Sequence, residues 1–166
     1  MGMLKGKVAV VVGGGGIGGA SARRLAAAGA RVVIGDLDAG NAAAIAAQIT
    51  KAGGDAQGLR CDIAEEASVA ALVQAAVARY GGLDLMHVNA ADLRVIAQDS
   101  NAVDVDLGVF ERTIAVNLRG HLLCTRHAIP QMLSRGGGAF VYATSNSAFI
   151  GEPERPCYAM AKAGIN

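Results

Sequence analysis

Short apolar runs alternate with longer segments of helical periodicity along the whole chain. The first run, Val8–Val12, is apolar at every position, which is typical of a strand buried on both faces of a parallel sheet. Segment 17–28 then has helical spacing and ends at Gly29. The same alternation continues and predicts five strands, at 8–12, 31–35, 55–60, 85–88 and 139–143.

The helical segments between these strands carry apolar stripes. The clearest stripe has an apolar residue at every third or fourth position from Val69 to Tyr80, and Gly81 ends it. Asp38 can cap a helix that runs toward Ala52. A long helix is predicted after the polar stretch 92–106, and its apolar stripe consists of Ile114, Leu118, Leu122, Ile129 and Leu133. The last predicted helix begins near Cys157.

Strands and helices that alternate in this way are joined by right-handed crossovers, so we expect a parallel sheet with helices on both faces. The predicted class is therefore α/β, a doubly wound Rossmann-like sheet. A chain of 166 residues suits one domain with a substantial core, and neither an internal repeat nor a linker divides residues 1–166.

Composition and charge narrow the class of protein. Hydrophobic residues make up 52% of the chain and charged residues 17%, which indicates a globular protein rather than a disordered one. The formal net charge of +1 gives no general attraction to nucleic acid or to anionic lipid. We therefore expect neither nucleic-acid nor membrane partners, and no apolar stretch is long enough to span a bilayer.

The three cysteines form no Cys-x-x-Cys pair, and the three histidines show no metal-ligand spacing. We expect neither a disulfide framework nor a metal site, and a cytoplasmic location is the default. His121 and His127 are expected to be structural or exposed residues of the long helix.

The turn after the first strand contains a dinucleotide-binding fingerprint. Gly13, Gly15 and Gly18 match Gly-x-Gly-x-x-Gly, and Gly16 and Ile17 complete the turn. Glycines allow positive φ and leave space for a pyrophosphate to approach the backbone, while the helix N-terminus supplies free N–H groups. We expect these five residues to contact a dinucleotide.

An acidic residue follows at the expected distance. Asp36 ends the second strand, 18 residues after Gly18. A carboxylate there accepts hydrogen bonds from the adenosine ribose hydroxyls and repels a 2′-phosphate. Because neither the glycine turn nor the residues just after Asp36 include Arg or Lys, the expected cofactor is NAD rather than NADP.

Each remaining strand also has a polar residue at its carboxyl end. Asp62 follows the third strand, Asn89 the fourth and Ser145 the fifth. The ligand crevice of an open α/β sheet lies at this edge, so we expect these side chains to surround a bound ligand.

The chemistry-bearing residues, taken in order, resemble the short-chain dehydrogenase/reductase family over essentially the whole chain. Tyr158 and Lys162 match the family's Tyr-x-x-x-Lys motif, and Ser145 precedes Tyr158 by the usual 13 residues. Three further segments are similar to family motifs: Asn117 to the helix asparagine, residues 88–91 to Asn-Asn-Ala-Gly, and Asp62 with Ile63 to the adenine-contacting Asp-Val pair.

The resemblance implies an NAD-dependent oxidoreductase that interconverts a secondary alcohol and a ketone by hydride transfer. In such an enzyme Tyr158 is the general acid/base, and the charge of Lys162, one helical turn away, favours its ionised form. Ser145 stabilises the substrate oxygen, and Asn117 holds a water that links Lys162 to solvent. Tyr158 and Lys162 also contact the cofactor. The implied catalytic set is therefore Asn117, Ser145, Tyr158 and Lys162.

The chain departs from the family pattern in two places. Val12 replaces the usual Thr, and the turn between Gly13 and Gly16 is one residue shorter than the family's. Val88 and Ala91 replace the first Asn and the Gly of Asn-Asn-Ala-Gly. None of these changes affects the four catalytic positions.

Two alternatives stand beside the oxidoreductase. A dinucleotide-binding module without turnover is disfavoured by the complete catalytic set. A sugar-nucleotide epimerase or dehydratase of the same superfamily uses the same Tyr-Lys pair, but the spacing of Ser145 and the segment around Asn117 favour the single-domain dehydrogenase branch.

The resemblance also implies a sheet of seven strands, a substrate-covering segment after the catalytic helix, and a homodimer or homotetramer in the full-length protein. The chain ends four residues after Lys162. We therefore expect these 166 residues to be a fragment that is inactive alone. The expected partner of the full-length protein is a small alcohol or ketone, and the sequence does not specify which one.

Overall fold

A five-stranded parallel sheet forms the centre of the computed structural model, which describes residues 2–166; Met1, the first residue of the predicted domain, lies outside them. The strand order is β3-β2-β1-β4-β5, and all neighbouring pairs are parallel. The predicted doubly wound α/β class is confirmed. The strands are β1 Val8–Val12, β2 Arg31–Asp36, β3 Ala56–Arg60, β4 Leu85–Val88 and β5 Ala139–Tyr142.

Helices connect these strands throughout the described residues. None of the helices described is long and apolar enough to cross a membrane. The elements are α1 Ile17–Ala27, α2 Ala39–Lys51, α3 Glu66–Tyr80, α4 Leu93–Ile96, α5 Leu107–Ile114, a π-helical stretch Ala115–Arg119, α6 Gly120–Leu133, a 3₁₀ turn Asn146–Ala148 and α7 Pro156–Ile165.

Both faces of the sheet are covered, which explains why β1 is apolar at every position. Ala9 and Val11 belong to a buried cluster with Ile45 of α2. Val10, which points the other way, belongs to a second cluster with Leu72 of α3. Because alternate residues of a strand face opposite sides of the sheet, no position of β1 is left for a polar side chain.

The strand order reverses beside β1, where the chain returns from β3 to form β4 on the other side of the sheet. Val12, the last residue of β1, is aligned with Gly35 of β2 and Val88 of β4. A crevice at the carboxyl ends of parallel strands is expected at such a switch point.

The long helix begins directly after the polar stretch 92–106, where the sequence predicts it, but it differs from its prediction in its core face. It begins at Leu107, because Asp106 caps α5 by accepting a hydrogen bond from Gly108 N, and the π-helical stretch then joins α5 to α6. Leu123 faces the core, whereas Leu122 and Leu133 of the predicted stripe are 65% and 69% exposed. The predicted stripe is therefore covered only at its start, where Ile114 and Leu118 are half-buried, and is exposed further along the helix.

Candidate active site

A cleft of about 610 Å³ opens at the carboxyl ends of the strands. It is bordered by the glycine turn after β1, by the residues that follow β2, β3 and β4, and by α7. Gly18, Asn117 and Ser145 are predicted site residues that lie outside its lining. The predicted site residues that line the cleft are Gly13, Gly15, Gly16, Ile17, Asp36, Asp62, Ile63, Asn89, Tyr158 and Lys162.

The glycine turn has a backbone that side chains would strain. Gly13 and Gly16 have φ values of 89° and 46°, in the left-handed region that glycine adopts without a Cβ clash. A Cβ on Gly18 would collide with the carbonyl oxygen of Gly13, so the start of α1 packs directly on the turn. Asn89 donates from Nδ2 to the same carbonyl oxygen at 3.2 Å, which ties the end of β4 to this turn.

The residues of the turn fit a dinucleotide pyrophosphate. Apart from Gly15 and its two chain neighbours, no atom of residues 2–166 lies within 4 Å of the position that a Cβ on Gly15 would take, so the backbone can approach a ligand there. Helix α1 has no side-chain cap at Gly16 and no acidic residue in its first turn. Its free N–H groups and positive dipole end therefore suit a phosphate anion.

Three donors hold the carboxylate of Asp36 at the wall of the cleft. Asp36 Oδ2 accepts from Gly14 N at 2.7 Å and from Asn41 Nδ2 at 2.9 Å. Asp36 Oδ1 accepts from Asp38 N at 2.9 Å. The shortened glycine turn thus still places a backbone N–H on this carboxylate, and the three hydrogen bonds fix its orientation.

Asp62 and Ile63 form the turn after β3. Asp62 Oδ1 accepts from Ala64 N, and Asp62 N donates to Ser68 Oγ, both at 3.0 Å. Ile63 packs so closely on Gly120 that a Cβ there would lie 2.7 Å from Ile63 Cγ1. The turn is therefore braced from its own segment and from the start of α6.

Tyr158 and Lys162 lie one turn apart on α7 and both line the cleft. Lys162 Nζ lies 5.8 Å from the centroid of the Tyr158 ring and donates to the Ala143 carbonyl oxygen at 2.6 Å. The Lys162 residue is only 2% exposed, and this burial lowers the pKa of Lys162 to about 8. The Lys162 side chain, buried beside the phenol of Tyr158, is therefore mainly cationic at neutral pH.

The start of α7 is capped from a distant segment. Pro156 occupies the first turn of α7, and Arg155 supplies no side-chain cap. Instead, Asp99 accepts from Tyr158 N at 2.8 Å through Oδ2 and from Cys157 N at 3.4 Å through Oδ1. The polar stretch 92–106, which interrupts the sequence pattern, thus orients the helix that carries the Tyr-Lys pair.

The other two predicted catalytic residues direct their polar atoms into the protein. Ser145 Oγ accepts from Ser147 N at 3.2 Å and lies 3.3 Å from both Asn146 Oδ1 and Ser147 Oγ. Asn117 is fully buried in the π-helical stretch, and its Oδ1 accepts from Asp92 N at 3.2 Å. Asn117 therefore fixes the segment after β4, while the Ser145 hydroxyl is shared within its own loop.

Sequence reasoning missed an ionic cluster in the cleft. Asp92 Oδ2 accepts from Arg112 Nε at 3.2 Å, and Asp92 Oδ1 lies 3.5 Å from Arg94 Nε. Burial raises the pKa of Asp92, but the hydrogen bond from Arg112 and the charge of Arg94 outweigh it and hold the pKa below its usual value. The sequence signal that could have indicated this cluster is the concentration of charged residues in the polar stretch 92–106, which has no hydrophobic periodicity.

The doubly wound sheet and the cleft at its switch point define an α/β protein of the Rossmann-like class. The family model described as short chain dehydrogenase matches residues 7–166. The chain belongs to this family of oxidoreductases, whose members use a nicotinamide dinucleotide.

Several dehydrogenases are similar to the chain along nearly its whole length. A probable short-chain type dehydrogenase/reductase of Bradyrhizobium diazoefficiens is 44% identical over 167 residues, which cover 100% of this chain and 59% of the relative. The cis-4-hydroxycyclohexanecarboxylate dehydrogenase of Sinomonas cyclohexanicum is 40% identical, with 96% of this chain and 63% of the relative covered. The D-threitol dehydrogenase of Mycolicibacterium smegmatis is 37% identical, with coverages of 98% and 61%.

A solved structure supports the same relationship. The crystal structure of a short-chain type dehydrogenase/reductase from Mycobacterium marinum matches with a TM-score of 0.89 and 29% identity, covering 98% of this chain and 64% of that chain. The chain spans 59% to 63% of the length of the three curated relatives named above.

Proposed function

We propose that the protein containing this chain is an NAD-dependent oxidoreductase that interconverts a secondary alcohol and a ketone by hydride transfer. The observation that carries this proposal is that Tyr158 and Lys162 line the same cleft as the glycine turn and Asp36. A dinucleotide at the turn and a substrate beside the phenol therefore share one site.

Tyr158 acts as the general acid/base. A bound nicotinamide supplies the hydride acceptor for alcohol oxidation. The phenol oxygen of Tyr158 accepts the alcohol proton in that direction and returns it in ketone reduction. Lys162 stabilises negative charge on the phenol oxygen, since its ammonium group is buried and lies 5.8 Å from the centre of the same ring.

Ser145 binds the substrate oxygen. Its neighbour Thr144 lines the cleft and donates to the carbonyl oxygen of Lys162 at 3.0 Å, which holds the end of β5 against α7. Ser145 Oγ accepts from Ser147 N, and its own O–H is directed to Asn146 Oδ1 or Ser147 Oγ, each 3.3 Å away. A substrate oxygen competes with Asn146 and Ser147 for this donor and is stabilised as negative charge develops on it.

The cofactor is NAD rather than NADP. Asp36 presents a fixed carboxylate that accepts hydrogen bonds from ribose hydroxyls and repels a 2′-phosphate. The arginines that line the cleft, Arg94 and Arg112, pair with Asp92 after β4 instead of lying beside Asp36. They therefore do not offset the repulsion at the adenosine ribose.

The substrate is a small hydroxylated molecule. Two relatives are dehydrogenases named for cis-4-hydroxycyclohexanecarboxylate and for D-threitol. Phe149 and Ile150 are exposed in the loop before α7 and offer an apolar lip for the unreactive part of a substrate.

The full-length protein is a homodimer or homotetramer in the cytoplasm. The exposed side chains of Leu122, Ile129 and Leu133 support self-association, because contiguous apolar surface commonly marks an interface. The three cysteines are free and buried, which fits a reducing compartment.

A panel of secondary alcohols tests the activity in the full-length protein. With NAD, at least one alcohol of the panel, which includes the two compounds that name the relatives, should produce the absorbance of the reduced nicotinamide. Tyr158→Phe should lower kcat by about 10²–10⁴-fold, the usual contribution of a general acid/base, and leave NAD affinity within about threefold.

Tyr80→Phe is the matched control, since the Tyr80 hydroxyl donates to Asp55 at 2.8 Å and lies outside the cleft lining. Near-normal turnover by Tyr158→Phe, or oxidation of no alcohol in the panel, would contradict the proposed function.

Calorimetric titration tests the cofactor. NAD should bind at least about tenfold more tightly than NADP, which corresponds to about 1.4 kcal/mol. Asp36→Ala should erase this preference while retaining NAD binding, because the glycine turn is unchanged. Equal affinities in the unsubstituted protein, or tighter binding of NADP, would show that the cofactor assignment is wrong.

A further inference from the structure

The charged side chains that line the cleft are divided between its two sides. The acidic residues Asp36 and Asp62 follow β2 and β3. On the side of β4 and α5, Arg112 Nε donates to Asp92 Oδ2 at 3.2 Å, and Arg94 Nε lies 3.5 Å from Asp92 Oδ1. These last three residues form the Asp92 cluster. Because one carboxylate offsets only one guanidinium group, the Asp92 cluster has one surplus positive charge.

The surplus charge lies on Arg94. Arg112 makes the shorter contact with Asp92, and its side chain is 36% exposed, while that of Asp92 is 8% exposed. The Arg94 side chain is 78% exposed and reaches the same carboxylate through Nε. Neither terminal nitrogen of Arg94 donates a hydrogen bond to residues 2–166. The planar fork of this guanidinium group, a geometry that suits a carboxylate, is therefore available in the cleft.

Arg94 is held at the catalytic end of the cleft. Two residues before it, Asp92 N donates to Asn117 Oδ1 at 3.2 Å, and five residues after it, Asp99 accepts from Tyr158 N at 2.8 Å. Asp92 Oδ1 also accepts from Arg94 N at 3.2 Å, which caps α4. The short segment that contains Arg94 is thus anchored on both sides. A substrate beside the Tyr158 phenol therefore lies on the same side of the cleft as the Arg94 guanidinium group.

The dinucleotide does not account for this charge. Its pyrophosphate fits the glycine turn after β1 and its adenosine ribose fits Asp36 at the end of β2, whereas Arg94 follows β4. The other cation on the catalytic side outside the Asp92 cluster, Lys162, is buried and donates to the Ala143 carbonyl oxygen. The charge of Arg94 is therefore free to attract an anionic group of a second ligand.

We infer that Arg94 binds a carboxylate of the substrate, so that the substrate class is hydroxy acids and the corresponding oxo acids. A guanidinium group with a free fork can donate two N–H groups to the two oxygens of one carboxylate. A single surplus charge matches a monoanion better than a phosphate dianion. The inference deepens the proposed function and rests on it for the reacting hydroxyl group, while the anion site itself is defined by the Asp92 cluster.

Ligand binding tests the inference without any turnover. Benzoate and benzamide have similar shapes and differ in charge, so ligand-observed NMR titrations of the full-length protein, with and without NAD, compare them directly. Benzoate should bind at least about tenfold more tightly, because only its carboxylate makes charge-assisted hydrogen bonds. Phenyl phosphate should bind no more tightly than benzoate. Equal affinities for benzoate and benzamide, no binding of benzoate, or tighter binding of phenyl phosphate would overturn the inference.

Variants of Arg94 locate the site of binding. Arg94→Gln removes the charge and should reduce the preference for benzoate to less than about twofold, while the affinities for benzamide and for NAD stay unchanged. Arg94→Lys retains the charge without the planar fork and should retain a preference of about threefold.

Arg126→Gln is the matched control. The Arg126 side chain is 71% exposed, and its Nε also lies 3.5 Å from a carboxylate, that of Glu66 on α3, but Arg126 lies outside the cleft lining. This variant should keep the full preference for benzoate. A preference that survives in Arg94→Gln, or that is lost equally in Arg126→Gln, would refute the role of Arg94.

Kinetics separate the inference from the proposed function. Hydroxy acids added to the alcohol panel should be oxidised with kcat/KM at least about tenfold above that of their methyl esters, and Arg94→Gln should remove this difference mainly through KM. Benzoate binding that depends on Arg94, with no alcohol oxidised, would retain the anion site and refute the proposed function. Oxidation of neutral alcohols without any preference for hydroxy acids or for benzoate would retain the proposed function and refute the inference.

Discussion

The two sides of the cleft are assembled from contacts of different kinds. On the side of β1 and β2, neighbouring elements supply most of the contacts: Gly18 packs on Gly13, and Gly14 donates to Asp36. On the side of β5 and α7, the contacts join distant segments. Asp99 caps the helix that carries Tyr158, and this pair is 59 residues apart in the chain.

The two sides also differ in what holds their polar groups. The Asp36 carboxylate accepts from the backbone of the glycine turn, from Asp38 N and from Asn41 of α2. The loop after β5 satisfies Ser145 through Asn146 and Ser147 rather than through the sheet. The comparison teaches that the dinucleotide side is fixed mainly by backbone geometry and neighbouring elements, with Asn89 as its one named long-range contact. The catalytic side depends on a polar segment packed from elsewhere.

Ser145→Ala in the full-length protein is expected to show the largest difference between an effect on catalysis and an effect on NAD binding. Loss of the hydrogen bond to the developing oxyanion should lower kcat by about 10²–10³-fold, or roughly 3–4 kcal/mol. NAD affinity should stay within about twofold, since Ser145 lies outside the cleft lining. Steady-state kinetics and calorimetry measure the two quantities.

Ser134→Ala provides the control, because Ser134 Oγ donates to Gln131 O at the end of α6. A parallel loss of turnover and NAD affinity in Ser145→Ala would show that the two sides of the cleft are not separable.

Lys162→Met should make the folded chain more stable near neutral pH. The pKa of Lys162 is about 8 when folded and about 10.5 when exposed, so the folded state disfavours the proton. Below pH 8 both states are protonated and the full penalty, at most about 3 kcal/mol, opposes folding. It is relieved as pH rises from 8 toward 10.5, where the unfolded chain also loses its proton.

Urea denaturation at several pH values tests this prediction. The gain in free energy of unfolding should be about 1–3 kcal/mol at pH 7, reduced by the lost bond to Ala143, and should shrink above pH 8. Lys51→Met, at an exposed position on α2, is the control. A constant gain across the pH range would mean that packing, rather than the buried charge, determines the effect.

Alanine substitutions at two glycines of the turn separate the effect of tight backbone packing from the effect of filling the cleft. Gly18→Ala places a Cβ on the Gly13 carbonyl oxygen and should lower the free energy of unfolding by about 1–3 kcal/mol. Gly15→Ala has open space around its Cβ and should change stability by less than about 0.5 kcal/mol.

Both variants should weaken NAD binding, because one distorts the turn and the other fills the cleft lining. Equal stability of the two alanine variants would contradict the tight packing of α1 on the turn.

The same contrast explains how much the sequence revealed. The five strands and the position of Asp36 followed from hydrophobic periodicity and a local fingerprint, because the relevant contacts lie within one or two neighbouring elements. The fold class could be predicted for that reason. The roles of the site residues at Ser145, Tyr158 and Lys162 came from the family resemblance and remain predictions.

Contacts between distant segments left no comparable sequence signal. Neither Asp99 nor Asp92 occupies a periodic position, so their partners Tyr158 and Arg112 were not foreseen. His121 was expected to be structural or exposed, and it is buried; that its ring nitrogens have no hydrogen-bond partner among the described residues was not foreseen. The π-helical stretch shifts the register of the helix. The spacing of apolar residues along the sequence does not reveal such a shift, because it assumes a regular α-helix.

The smallest effect, and the sharpest test of long-range assembly, is expected for Asp99→Ala. This side chain supplies the cap that Arg155 does not, so its loss should lower the free energy of unfolding by about 1 kcal/mol, as for other helix caps. Asp104→Ala removes another carboxylate of the same polar stretch. Among residues 2–166 the Asp104 carboxylate accepts only from Asn101 Nδ2, so its loss should have less than half that effect. In the full-length protein, Asp99→Ala should also lower kcat several-fold, because the start of α7 sets the position of Tyr158, while NAD affinity stays unchanged. If Asp99→Ala and Asp104→Ala were equally stable and equally active, α7 would be positioned by its apolar packing, and the catalytic side would be as locally determined as the glycine turn.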